Sequence, residues 1–111
     1  MLANPDNEVR IVAEIDDEIV GIGALVLEKF ELRACYVTPN ASRNGVGSAL
    51  VWEIEKIALN HGLEKLQLDS SLSAVPFYCA LGYAVSEHGE HVLHSGQRMA
   101  CVKMEKPLIR S

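Results

Sequence analysis

Residues 35–61 read C-Y-V-T-P-N-A-S-R-N-G-V-G-S-A-L-V-W-E-I-E-K-I-A-L-N-H. An apolar strand ends at Thr38 and Pro39, a loop carrying Gly45 and Gly47 follows, and a helix begins without a gap. The first N–H groups of a helix have no partner within the helix, and they carry the positive end of its dipole. Two glycines leave the backbone bare, so an anion's oxygens can approach it closely. The layout is that of an anion cradle, and a pyrophosphate is the anion it suits.

Working outward, the helix is expected over Ser48–Asn60, where Leu50, Val51, Ile54, Ile57 and Ala58 recur at three- and four-residue steps. Glu53, Glu55 and Lys56 are assigned to the water side, with part of Trp52. Gly62 stands where a left-handed cap belongs. Upstream, Val9–Ile15 and Ile19–Glu28 read as a hairpin about Asp16-Asp17, and Glu31–Thr38 as a third strand. The near-continuous apolarity of Ile19–Glu28 predicts burial on both faces, and its Gly21 and Gly23 predict a bulge or close packing. Downstream, Lys65–Asp69 is a strand, and strand–helix–strand order implies a parallel crossover. Ser73–Leu81 is a short helix with Pro76 near its start, and Tyr83–Ser86 is a strand. Glu87–Gly96 reads as a polar loop or hairpin, and Arg98–Met104 closes the sheet.

Composition bounds the function. The chain has 111 residues, enough for one domain with one core. A formal net charge of -5 argues against a nucleic-acid partner. Ile19–Leu27 is too short to cross a bilayer, and no signal peptide opens the chain, so a cytoplasmic protein without membrane partner is expected. Cys35, Cys79 and Cys101 lack paired spacing and read as reduced thiols. Cys79 reads as a small core residue. His88, His91 and His94 are spaced wrongly for one strand face and read as a solvated loop, so no metal is expected.

Of two glycine-loop chemistries one fails on the residues and the other matches only in part. A P-loop needs Lys followed by Ser or Thr after its second glycine, and here Ser48 and Ala49 follow Gly47. A dinucleotide fingerprint needs a third glycine where Leu50 stands. The stretch V-T-P-N-A-S-R-N-G-V-G-S-A-L instead resembles the acetyl-coenzyme A motif of GNAT-type N-acetyltransferases, [Q/R]-x-x-G-x-[G/A]. Ser42 falls at the first position, and Arg43 comes one place late. S-L-S-A-V-P-F-Y-C-A-L-G-Y resembles the family's next motif at Ala74, Phe77, Tyr78, Gly82 and Tyr83, and M-A-C-V-K-M-E-K resembles its last strand. The likeness spans Val9–Lys106, in the right order and spacing.

The resemblance implies an α/β fold: a mixed, mostly antiparallel sheet of about six strands with a parallel splayed pair, lacking the family's first strand and two helices. Apolar sheet would then be left exposed, and a homo-oligomer is an expectation that follows. It implies acetyl-coenzyme A as cosubstrate and a small-molecule or protein amine as acceptor. The pantetheine arm would lie along Cys35, Tyr36 and Val37, opposite Leu66–Asp69. The pyrophosphate would meet Arg43, Asn44, Gly45, Val46, Gly47 and Ser48. Ser71 would touch the coenzyme, and Phe77 would line its thiol end.

By the same resemblance, the amine attacks the thioester, a backbone N–H at Tyr36 or Val37 serves the oxyanion, and Tyr78 protonates the leaving thiolate. Glu31 is the nearest carboxylate by strand position for a base, though a solvated charge is the commoner role of such a residue. The rival readings are a coenzyme-binding module without turnover and a partner subunit.

Overall fold

The computed structural model describes residues 8–39, 45–92, 95–96 and 98–108. The elements are β1 (Glu8–Ile15), β2 (Glu18–Val26), β3 (Glu31–Val37), α1 (Val46–Asn60), β4 (Lys65–Ser70), α2 (Val75–Ala80), β5 (Ala84–Val92) and β6 (Arg98–Pro107). Short 3-10 turns at Leu27–Lys29 and Leu72–Ala74 precede β3 and α2. The strands form one six-stranded sheet in the order β1-β2-β3-β4-β6-β5, with β3 and β4 parallel and every other neighbouring pair antiparallel.

The β1–β2 hairpin turns on Asp16 (φ 52°) and Asp17 (φ 67°). Both central residues have positive φ, the backbone that matches the twist of a two-residue hairpin. Gly21 and Gly23 are close-packing glycines. A Cβ at Gly21 would lie 2.9 Å from Leu50 Cδ1, and one at Gly23 2.7 Å from Ile54 Cδ1. The bare strand lets α1 settle onto the sheet, burying Val46, Leu50, Val51, Ile54 and Ala58. Each large aliphatic side chain so buried stabilises the fold by about 1.5–3 kcal/mol. The helix ends in a Schellman arrangement: Leu63 N–H donates to the Ala58 carbonyl and Gly62 N–H to the Leu59 carbonyl, each at 3.0 Å. Gly62 is left-handed there at φ 82°.

The expected burial of β2 on both faces does not hold. Ile22 pairs with Val12 on one side and Tyr36 on the other. Its neighbours Gly21 and Gly23 face α1, so alternation turns this row to the opposite face. Val12, Ile22 and Tyr36 are 51%, 43% and 59% exposed. β5 runs past its expected end at Ser86, and of the two readings of Glu87–Gly96, loop or hairpin, the hairpin holds. The strand continues through His88 and His91 to Val92, paired with β6 back to Arg98. Those two histidines therefore lie on a strand, because the β6 edge offers partners that their polar neighbourhood does not advertise. His94 lies outside the described residues. Cys79 is exposed rather than a core residue. Among the described residues, no helix is long and apolar enough to cross a membrane.

Candidate active site

The site grows from the place where β3 and β4 part. They share a single ladder pair, Glu31 with Gln67. That end is clasped twice: Gln67 N–H donates to the Phe30 carbonyl at 2.7 Å, and Gln67 Nε2 donates to the Lys29 carbonyl at 2.8 Å. Beyond the clasp β3 stays paired to β2, and β4 stays paired to β6. Their facing edges carry no ladder, which makes a wedge. Thr38 N–H donates to the Val20 carbonyl at 2.8 Å. Strand alternation then turns Tyr36 N–H toward β2 as well, and Cys35 and Val37 toward the wedge.

α1 begins beside the open end of β3. Its N-cap is Gly45, left-handed at φ 76°, with no side-chain cap and no acidic residue in the first turn. Ala49 N–H donates to the Gly45 carbonyl at 3.0 Å, the first bond of the helix. The N–H groups of Val46, Gly47 and Ser48 precede it and have no partner within the helix. Val46 buries its side chain, and Ser48 is exposed. Among the described residues a Cβ at Gly45 would meet nothing within 4 Å, whereas one at Gly47 would lie 3.2 Å from Phe77 Cζ and 3.6 Å from Val37 Cγ2. Arg43 and Asn44 lie outside the described residues.

α2 delivers the aromatic residues. Phe77 covers Gly47 and meets Tyr78 edge to face, with ring centroids 5.0 Å apart. Tyr78 in turn meets Tyr83 edge to face at 5.8 Å. Burial, and then the nearby Cys35 sulfur, push the Tyr78 hydroxyl up to about 12, so it stays protonated at neutral pH. Cys35 Sγ lies 3.8 Å from the Gly47 carbonyl. Burial raises the Cys35 thiol, which keeps it protonated. Ser71 stands at the end of β4, exposed, its carbonyl accepting from Ser70 Oγ at 2.7 Å. Of the expected residues, Val37, Gly47 and Phe77 meet at the open end of the wedge, with Tyr78 against Phe77 and Ser71 following β4; Tyr36 does not join them, its side chain exposed on the far face and its N–H turned to β2.

Glu31 does not join them. It sits at the clasped end, paired with Arg33 at 3.5 Å. It also rims a cleft of about 320 Å³ that runs over Gln67, Asp69, Glu87, Lys103 and Glu105, apart from Tyr78. Sequence reasoning also misplaced Glu55. It is half-buried, accepting from Tyr83 Oη at 2.9 Å and from Lys106 Nζ at 3.0 and 3.1 Å. Helical spacing put it on the water side because its partners lie 28 and 51 residues away. No local signal could have found them.

A family model described as the acetyltransferase (GNAT) family matches residues 2–83. A solved structure described as a GCN5-related N-acetyltransferase, aminotransferase class-II, from Rhodopseudomonas palustris superposes with a TM-score of 0.86 at 26% identity. The superposition covers 91% of this chain and 62% of that one. An aminoglycoside 6'-acetyltransferase type Ii superposes at 0.77 with 25% identity, covering 97% of this chain and 73% of that one. An aminoglycoside 6'-N-acetyltransferase complexed with coenzyme A shares the fold at 0.78 and 21% identity, covering 97% and 76%. No curated protein matches. By the match over residues 2–83 the chain belongs to the acetyltransferase (GNAT) family.

Proposed function

We propose that the protein transfers an acetyl group from acetyl-coenzyme A to an amine. The observation that carries this is the wedge: an unladdered edge of β3 beside the uncapped start of α1, with Phe77 over Gly47 and Tyr78 against Phe77. The residues fit the coenzyme. The helix start holds no carboxylate to repel a diphosphate, no described residue would crowd a Cβ at Gly45, and the Cys35 and Val37 backbone offers strand-like hydrogen bonds to a pantetheine arm. The coenzyme supplies an acyl group activated as a thioester.

The chain's own residues then divide the work. The N–H groups of Val46, Gly47 and Ser48 hold the diphosphate, with Ser71 at the far lip of the wedge. Phe77 shuts water out at Gly47. Val37 N–H, rather than Tyr36 N–H, is aimed to receive negative charge developing on the carbonyl oxygen. Tyr78 keeps its proton and gives it, or a hydrogen bond, to the departing sulfur, while water takes the proton that the attacking amine loses. The acceptor is a small amine or a protein amine.

Titration calorimetry with coenzyme A, together with a thiol-release assay on acetyl-coenzyme A across a panel of amines, tests this. Binding with amine-dependent thiol release is expected. Binding without release for every amine would make the chain a coenzyme-holding module instead, and absence of binding would overturn both readings.

A further inference from the structure

α2 is short, Val75–Ala80, and none of its residues is fully buried. A six-residue helix has little stability of its own, so something else must hold Tyr78 in place. Its C-terminus supplies the first tie. Gly82, left-handed at φ 99°, closes a Schellman arrangement in which Gly82 N–H donates to the Cys79 carbonyl at 3.1 Å. Tyr83 N–H donates to the carbonyl of Tyr78 itself at 3.0 Å. Tyr83 then packs its buried ring against the Tyr78 ring and anchors its own hydroxyl on Glu55.

Lys106 completes the tie. An ammonium has three N–H donors. Its nitrogen lies 3.0 and 3.1 Å from the two Glu55 oxygens and 2.8 Å from the Leu81 carbonyl, the residue that ends α2. Its stem covers Gly82, with Cε 3.2 Å from where a Cβ would be. One side chain from β6 therefore clips the end of α2 to the middle of α1.

We infer that the Lys106–Glu55 pair is a positioning device for Tyr78, acting through Tyr83 to hold the phenol at the wedge. The inference rests on the reading of Tyr78 given above. Small displacements of a reacting group are costly, up to about 100-fold in rate for about 1 Å, which is the kind of movement that releasing α2 permits. Lys106 and Glu55 are positioning residues: they touch Tyr83 and the Leu81 carbonyl at the end of α2, and act on Tyr78 through these.

A double-mutant cycle between Lys106→Met and Tyr78→Phe tests it, read by thiol release from acetyl-coenzyme A with the amine panel. Lys106→Met is expected to lower kcat roughly 10-fold while leaving the Kd for coenzyme A within about twofold, with Lys106→Arg restoring part of the loss. On the Tyr78→Phe background the same change is expected to cost less than about twofold, because the group being positioned is gone. A full loss on both backgrounds, a loss carried entirely by Kd, or no loss at all would overturn the inference. An unchanged kcat in Tyr78→Phe alone would instead remove Tyr78 from the mechanism, and the inference with it.

A readout without turnover runs beside the cycle. The protein has three tyrosines, so 19F spectra of 3-fluorotyrosine-labelled protein resolve Tyr78 after assignment by substitution. Its resonance is expected to shift in Lys106→Met and return in Lys106→Arg, and a resonance that does not move would overturn the inference whatever the kinetics. If Lys106→Met does not fold, Glu55→Gln removes the charge that holds Lys106 and is expected to give the same pattern.

Discussion

Phe77 lies directly over Gly47: a Cβ at that glycine would come within 3.2 Å of the ring's Cζ and 3.3 Å of its Cε1. Gly45, two residues earlier, is crowded by no described residue but holds a left-handed φ of 76°. The two glycines look alike in the sequence and do different work. One gives room to an aromatic ring at the mouth of the wedge, and the other lets the chain turn into the helix.

Replacing Gly47 by glutamate or glutamine therefore separates charge from bulk. Both crowd Phe77, but only glutamate brings a negative charge to the start of α1. Two like charges about 4 Å apart at an effective dielectric of about 20 repel by about 4 kcal/mol, so a 10-fold weaker affinity is a cautious expectation. Titration calorimetry with coenzyme A should show Gly47→Glu binding at least about 10-fold more weakly than Gly47→Gln. Equal affinities would remove the diphosphate from this turn.

Gly45→Ala should cost stability instead. A left-handed conformation is about 1–2 kcal/mol less favourable with a Cβ, which for a domain of this size lowers Tm by roughly 4 °C per kcal/mol. A thermal melt checks it. An unchanged Tm would mean the loop relaxes out of the left-handed state.

Tyr78→Phe should reduce kcat roughly 100-fold or more, the usual worth of a positioned proton donor, with coenzyme affinity unchanged. The same hydroxyl makes stability fall at alkaline pH. Burial and the Cys35 sulfur raise it from 10.0 to about 12 in the folded chain, so the folded state holds a proton that the unfolded state releases first. Its contribution is fully present below pH 10 and is lost as pH rises from about 10 to about 12. Denaturant midpoints at pH 8 and pH 11 should differ, and the difference should shrink in Tyr78→Phe.

Glu31→Gln should leave kcat/KM within about twofold. Glu31 is six residues from Val37 on an extended strand, roughly 20 Å at about 3.3 Å per residue, and it is engaged by Arg33. A large loss of turnover would place the base at the clasped end of the wedge after all.

Most of the architecture is legible in the sequence because most of it is local. The helical spacing of Leu50, Val51, Ile54 and Ala58, the Asp16-Asp17 turn, the caps at Gly62 and Gly82 and the two family motifs each declare themselves within a few residues. What escapes is set by distant partners. Glu55 sits at a water-facing helical position but meets Lys106, 51 residues on. His88 to Val92 reads as a loop or hairpin by composition, and only pairing with β6 decides for the hairpin. Ile22 reads as buried, and only the sheet's neighbours reveal that its face is uncovered. At the site, the spacing of Gly45 and Gly47 shows where a ligand would lie, but not that Phe77 needs the second glycine.

The most direct test of the whole account is an amide spectrum of the 15N-labelled protein, 12.1 kDa in mass, titrated with coenzyme A. The N–H groups of Val46, Gly47 and Ser48, and those of Cys35 and Val37 along the wedge, are expected to shift together and saturate with one Kd. A titration in which these amides stay still, with coenzyme A unbound or shifting amides elsewhere, would contradict it.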